Sequence, residues 1–330
     1  MRSNRRGQWL AGLLALVILV GALWWPIDYI AVKPGLVKDL KEVITVEGGE
    51  KADTGRFYLT AVLTQQANLS IYLRSLLDHS IRLTPKREMI PEGWDQKQYN
   101  DAMLRLMEES KVVAEVVALR RLGYEIEIQG GGAQVVHVLP YSPVKDILLP
   151  DDVILSFNRQ TIRLAEDLTA AVGKLKPGSP VTLSVKRGEE TKEISAKLTE
   201  NPDDKGKAML GVQITTHNWQ PKLPVKINAN TADIGGSSAG TMMVLEIMNQ
   251  VDKRDLAKGH RIAGTGTISL SGVVGKIGGV QQKVITAERQ GMEYFIVPEE
   301  DYPDAAQVAK KIKLVKVRTL DDVMAFLNGL

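Results

Sequence analysis

Between residues 123 and 198 the chain changes texture, and that change limits the folds open to it. Short strand-like segments cut by turn formers replace the longer helical patterns on either side. Residues 135–139 read as a strand that ends at Pro140 and Ser142-Pro143, and residues 153–158 read as a second. A helix over residues 165–175 stops at Pro177-Gly178, and strands follow at 181–186 and 191–198. A chain of this kind holds a β-rich unit between two segments of mixed character. Upstream, residues 43–46 and 57–63 read as strands. Met103, Met107, Val113 and Val117 lie near helical spacing in a helix over residues 99–122. Downstream, strands (225–229, 262–267, 295–298, 314–317) alternate with helices (239–251, 280–290, 319–327). Thr319 with Asp322 makes a capping-box start for the last helix. No internal repeat of 20–50 residues is present.

The N-terminus adds a different constraint. Residues 9–25 are uncharged and apolar, follow Arg2, Arg5 and Arg6, and close on Trp24-Trp25-Pro26. With extension to Val32 the run is just long enough to span a bilayer, and paired tryptophans suit the headgroup belt. No A-x-A cleavage site follows it. The sequence therefore predicts a cytoplasmic tail over residues 1–8 and an uncleaved single-pass anchor over residues 9–32. The remainder is placed outside the cytoplasmic membrane.

At 330 residues and 44% hydrophobic, the chain has material for one large core or two ordinary ones. The 42 basic and 39 acidic side chains leave a net charge of +3, which the three N-terminal arginines account for. A balanced body of this kind lacks the basic stripe of a nucleic-acid surface. The absence of cysteine excludes disulfides, thiolate metal sites and a cysteine nucleophile. Four scattered histidines without an H-E-x-x-H motif leave metal catalysis without ligands, so neither metal nor cofactor is expected.

The chemistry centres on Gly235-Gly236-Ser237-Ser238-Ala239-Gly240. Two glycines permit a turn closed to other residues, and an apolar helix begins directly after it. Ser238 thus lies at a strand-to-helix junction, where unpaired backbone amides are the raw material of an oxyanion hole. A serine hydroxyl needs a base to become a nucleophile. Lys283, 45 residues on, sits at the edge of a buried stripe formed by Val280, Val284 and Ala287. Burial lowers a lysine pKa from about 10.4 toward the range in which it can take a proton. Three rivals compete for the same residues. A glycine turn before a helix is commonly only a helix start. Gly236 to Gly240 formally matches G-x-S-x-G, but the only later histidine, His260, is too close to complete that triad. The turn also resembles the phosphate loop of a family of small-molecule kinases, although a second glycine motif is missing. Gly272-Val273-Val274-Gly275-Lys276 is not a phosphate loop either, because Ile277 replaces the required Ser/Thr.

A wider pattern surrounds the pair. Ser238-Ala239-Gly240, then Ala263-Gly264-Thr265-Gly266, then Gly272 to Gly279 and Lys283 resemble Lon-type serine peptidases in composition and order. That resemblance implies a Ser238–Lys283 dyad, with Thr265 orienting the lysine and the Gly236-Ser237 turn supporting the oxyanion. Ser237 stands where that family has proline. Met107-Glu108-Glu109-Ser110 resembles the helix that precedes the family's core strands. The middle segment resembles a bacterial PDZ domain, through Leu122-Gly123-Tyr124, the V-x-V-x-P-x-S-P turn and the strand after Asp151-Asp152. By that likeness, Leu122, Gly123 and Tyr124 supply amides to a peptide's C-terminal carboxylate, and the peptide adds as a strand beside the 165–175 helix.

Together these features resemble a family of membrane-anchored PDZ–Lon-like proteases. The implied fold is α+β, a Lon-type α/β domain (33–122 and 206–330) with an inserted PDZ-like domain (123–200) and a transmembrane helix. The implied function is ATP-independent endopeptidase action on flexible protein or peptide substrates, in a homo-oligomer. The alternatives are an inactive membrane-tethered PDZ adaptor and a kinase using the Gly235 turn.

Overall fold

The computed structural model describes residues 9–10, 13–14, 20–50, 54–91, 93–202, 204–232 and 234–330. The first stretch comprises β1 (Pro26–Asp39), α1 (Leu40–Val43), β2 (Ile44–Val46), β3 (Arg56–Asn68), α2 (Leu69–Ser75), β4 (Arg82–Pro85), α3 (Lys86–Met89) and α4 (Gln96–Arg121). The middle comprises β5 (Ala133–Val138), β6 (Val153–Phe157), β7 (Gln160–Thr161), α5 (Ala165–Gly173), β8 (Pro180–Arg187), β9 (Glu190–Lys197), β10 (Thr199–Asn201), β11 (Asp204–Met209) and β12 (Val212–Thr216). The last comprises β13 (Ile227–Ala229), α6 (Gly240–Asp252), β14 (Arg261–Gly264), β15 (Thr267–Ile268), β16 (Val274–Gly275), α7 (Val280–Arg289), β17 (Tyr294–Pro298), α8 (Tyr302–Ala306), β18 (Lys313–Val317) and α9 (Leu320–Asn328).

One mixed sheet, ordered β18-β17-β14-β3-β1-β4, joins strands from both ends of the chain. β14 runs parallel to β3 and β17, and β17 parallel to β18, while β1 is antiparallel to β3 and β4. Period-two alternation sends neighbouring side chains to opposite faces. Ile262 and Ile296 meet α6 in one core. Ala263, Phe295 and Val297 meet Val280, Val284 and Ala287 of α7 in a second. α6 is buried along all of residues 240–250, which makes it the central helix. α4 packs on it. A capping box starts α4, with Gln98 N–H donating to Asp95 and Asp95 N–H to Gln98 Oε1.

The middle residues form their own sheet, β12-β5-β6-β8-β9, with a separate core that includes Leu168 and Val172 of α5. Asp151 takes the left-handed conformation at φ 69°, which a short polar side chain tolerates. β12 (Val212–Thr216) lies beyond the expected boundary at residue 200, yet it pairs with β5 at the edge of this sheet.

The mixed α/β architecture and the separate β-rich unit are present, but the anchor expectation is overturned. Among the described residues no helix is long and apolar enough to cross a membrane. The helical turn at residues 20–23 ends at Trp24, because β1 starts at Pro26. Ile30, Ala31 and Val32, assigned above to the end of the span, are buried in β1 between β3 and β4. A proline entry and two strand neighbours commit this apolar run to a sheet. The single-pass membrane placement and the membrane as a partner are withdrawn with it. Residues 1–8, 11–12 and 15–19 of that expectation lie outside the described residues.

Candidate active site

Ser238 and Lys283 meet. Lys283 Nζ lies 2.7 Å from Ser238 Oγ and 2.9 Å from Thr265 Oγ1. The lysine comes from the first turn of α7, entered through Gly279 in the left-handed conformation. The serine comes from the turn ahead of α6, and Thr265 directly follows β14. Lys283 is 3% exposed, and Thr265 is fully buried. Burial pushes the Lys283 ammonium down to about 7, against the opposing pull of the Asp301 carboxylate. Asp301 is itself buried and raised to about 6 by that burial, although the Ile277 amide donates to it at 2.9 Å.

The Thr265 hydroxyl fixes the direction of the network. Its proton is committed to the Ser238 carbonyl at 3.0 Å, so toward Lys283 it can only accept. A neutral Lys283 that donates one N–H to Thr265 can turn its lone pair to Ser238 Oγ. This is the orientation a base needs.

The nucleophile turn is held from two sides. On one side, Gly266 N–H donates to the Ser238 carbonyl at 2.8 Å and Thr241 N–H to the Gly266 carbonyl. On the other, α4 accepts Gly236 N–H at Met103 O and donates Ser110 Oγ to the Ser237 carbonyl at 3.1 Å. The Ser110 bond restrains a turn that has serine instead of a proline ring. Gly236, at φ 85°, shapes the turn, but its amide is spent on Met103 and cannot serve an oxyanion. The Ser237 and Ser238 amides have no hydrogen-bond partner among the described residues. A groove of about 470 Å³ runs nearby between α4 and β13, lined by Glu108, Lys111, Glu115, Asn228 and Asn230.

Leu122, Gly123 and Tyr124 are not brought to a peptide groove. They close α4: Leu122 N–H donates to Ala118 and Leu119, Gly123 N–H to Arg120, and Tyr124 N–H to Leu119. With all three amides consumed in this glycine-capped helix end, none remains for a carboxylate. The segment that flanks α5 is Leu210-Gly211-Val212 leading into β12. Gly211 has φ 71°, and a Cβ there would come within 2.8 Å of Ser142. The sequence carries a second Leu-Gly there, followed by the Val212-x-Ile214 alternation.

Residues 208–328 match the model of the Lon protease (S16) C-terminal proteolytic domain, and residues 120–198 match the PDZ domain. The chain joins a PDZ domain to a Lon-type serine peptidase domain. This pairing is consistent with the PDZ–Lon-like protease family, and neither match is to a kinase. The Lon protease of Trichlorobacter lovleyi is 37% identical over 109 residues, covering 31% of this chain and 13% of that protein. The Lon protease of Porphyromonas gingivalis is 32% identical over 112 residues, covering 33% of this chain and 13% of that protein. The chain thus spans a small fraction of the relatives it matches. The PDZ domain of the SdrC-like protein from Listeria innocua is 27% identical, covering 26% of this chain and 97% of that chain at a TM-score of 0.24. The Lon-type domain holds Ser238, Thr265 and Lys283, while α4, which buttresses its nucleophile turn, lies outside the matched residues.

Proposed function

We propose that the protein is an endopeptidase in which Ser238 attacks a peptide carbonyl while Lys283 removes the hydroxyl proton. The 2.7 Å contact between a buried lysine and this serine carries the reading. The Ser238 oxygen bonds to the carbonyl carbon, and the negative charge that develops is met by the Ser237 and Ser238 amides. Lys283 then gives its proton to the leaving amine, and an acyl-enzyme remains. Water attacks that ester, Lys283 takes its proton, and Ser238 is restored as the acid product leaves. Residues 33–122 and the C-terminal part form one peptidase unit around an inserted PDZ domain, a division supported by the strand order of the mixed sheet. Cleavage proceeds without ATP. It therefore favours flexible segments. The PDZ domain recruits polypeptides by C-termini that add to the open edge of β12 beside α5.

The test is digestion of an unstructured polypeptide without nucleotide, with the cut sites read by mass spectrometry. Peptide binding without any cleavage favours the adaptor reading and overturns this one.

Because only neutral Lys283 accepts the proton, kcat/KM rises with pH through a midpoint of about 7. Asp301→Asn removes the charge that holds the lysine proton on, so the midpoint moves to lower pH in a pH–rate profile. Thr265→Val removes the acceptor that aims Lys283. It lowers kcat by about 10–100-fold with little change in KM, measured by steady-state kinetics.

A further inference from the structure

We propose that both walls of the PDZ groove are latched to the nucleophile turn, and that Glu109 and Glu166 are the positioning residues through which a bound peptide is coupled to the Ser238–Lys283 pair. The inference rests on the peptidase reading given above.

One wall is β12. Its last residue, Thr216, donates its amide to Glu109 Oε1 at 2.9 Å, and its hydroxyl accepts from Ala165 N–H of α5 at 3.1 Å. Glu109 belongs to α4, and its neighbour Ser110 holds the Ser237 carbonyl. The other wall is α5. Glu166 Oε2 accepts the Leu270 amide at 2.9 Å, across 104 residues of sequence. Leu270 sits in the turn joining β15 to β16. β15 begins at Thr267, whose carbonyl accepts Thr241 Oγ1 at 3.0 Å, just after the Thr265-Gly266 pair that grips the Ser238 carbonyl. Each wall is therefore one carboxylate–amide bond from an element that holds the nucleophile turn. The two routes arrive on consecutive carbonyls, Ser237 and Ser238.

β12 is an edge strand with an unpaired side, so a peptide strand added there orders Thr216 and with it the Glu109 latch. Coupling of this kind is reciprocal between ligands. A ligand on Ser238 and a peptide in the groove must strengthen each other by the same factor.

The experiment uses the full chain and a fluorescent peptidyl boronate. The Ser238 oxygen bonds to boron, the hydroxyl proton passes to Lys283, and boron takes the negative charge. Glu109→Met and Glu166→Met remove the acceptors, while Glu109→Gln and Glu166→Gln keep a carbonyl oxygen. The methionine variants are expected to weaken boronate binding about tenfold, and the glutamine variants to restore it to within about twofold, at matched melting temperatures. A pool of decapeptides with random residues and a free C-terminal valine is expected to tighten boronate binding to the wild type about fivefold. The amidated pool is expected to do nothing, and neither pool to act on the methionine variants. Methionine variants that bind boronate like the wild type overturn the latch, as does a free-carboxylate pool without effect on the wild type. A wild type that binds no boronate at either pH 7 or pH 9, and cleaves no polypeptide, instead overturns the peptidase reading.

Discussion

Ser238→Ala and Lys283→Met each lower kcat on an unstructured substrate by about 10⁴-fold or more, and the double variant is little worse than either. The reason is that the two groups act as one unit. Without Ser238 there is no acyl-enzyme, and without Lys283 the hydroxyl keeps its proton at neutral pH. Methionine suits position 283 because the site is 3% exposed and already disfavours charge there, so the replacement preserves volume without stranding an ion. The fold should hold, as judged by circular dichroism and an unchanged melting temperature. Retention of a tenth or more of wild-type kcat in either variant means that another group carries the chemistry.

Gly266→Ala is expected to destabilise the peptidase unit by about 2–4 kcal/mol, a fall of roughly 5–15 °C in melting temperature. Gly266 has φ 151°, a conformation that L side chains rarely adopt. A Cβ there would stand 2.8 Å from both Thr241 Oγ1 and Val274 Cγ1. Neither neighbour yields easily, since Thr241 is fully buried in α6 and bonded to Thr267, and Val274 lies in β16. The strain falls on the amide that holds the Ser238 carbonyl. The fraction that remains folded should therefore also turn over about 100-fold more slowly. A melting temperature within about 2 °C of wild type, in a thermal scan with the substitution verified by mass, contradicts this account.

The readable parts of the molecule were those where one residue type answers a local demand. Gly235-Gly236 before an apolar run announced the turn, and the stripe of Val280, Val284 and Ala287 announced the buried face beside Lys283. Both helices appear within a few residues of the expected bounds. Two regions misled for opposite reasons. Residues 26–32 are apolar enough for a lipid span, but Pro26 and the neighbours β3 and β4 make them a sheet strand, and those neighbours are distant in sequence. Leu122-Gly123 has the composition of a carboxylate loop, yet its amides follow from the helix that ends there. Only the tertiary pairing of β12 with β5 distinguishes it from Leu210-Gly211. Ser110 and Glu109 were legible only as part of a family-like helix, and Asp301 not at all, because each acts on the site across 18 or more residues, through tertiary contacts.

The order of the mixed sheet has a consequence for synthesis. β3 finds β1 almost at once, but its other neighbour, β14, pairs Arg261 with Arg56 and is made just over 200 residues later. At about 5–20 residues per second, the far edge of β3 waits roughly 10–40 s for a partner. Ser110 waits 127 residues for the turn it supports, and Ser238 waits 45 residues for Lys283, roughly 2–9 s at the same rate. A nascent chain thus presents an unpaired strand edge that must be kept from aggregation until the last third of the protein emerges.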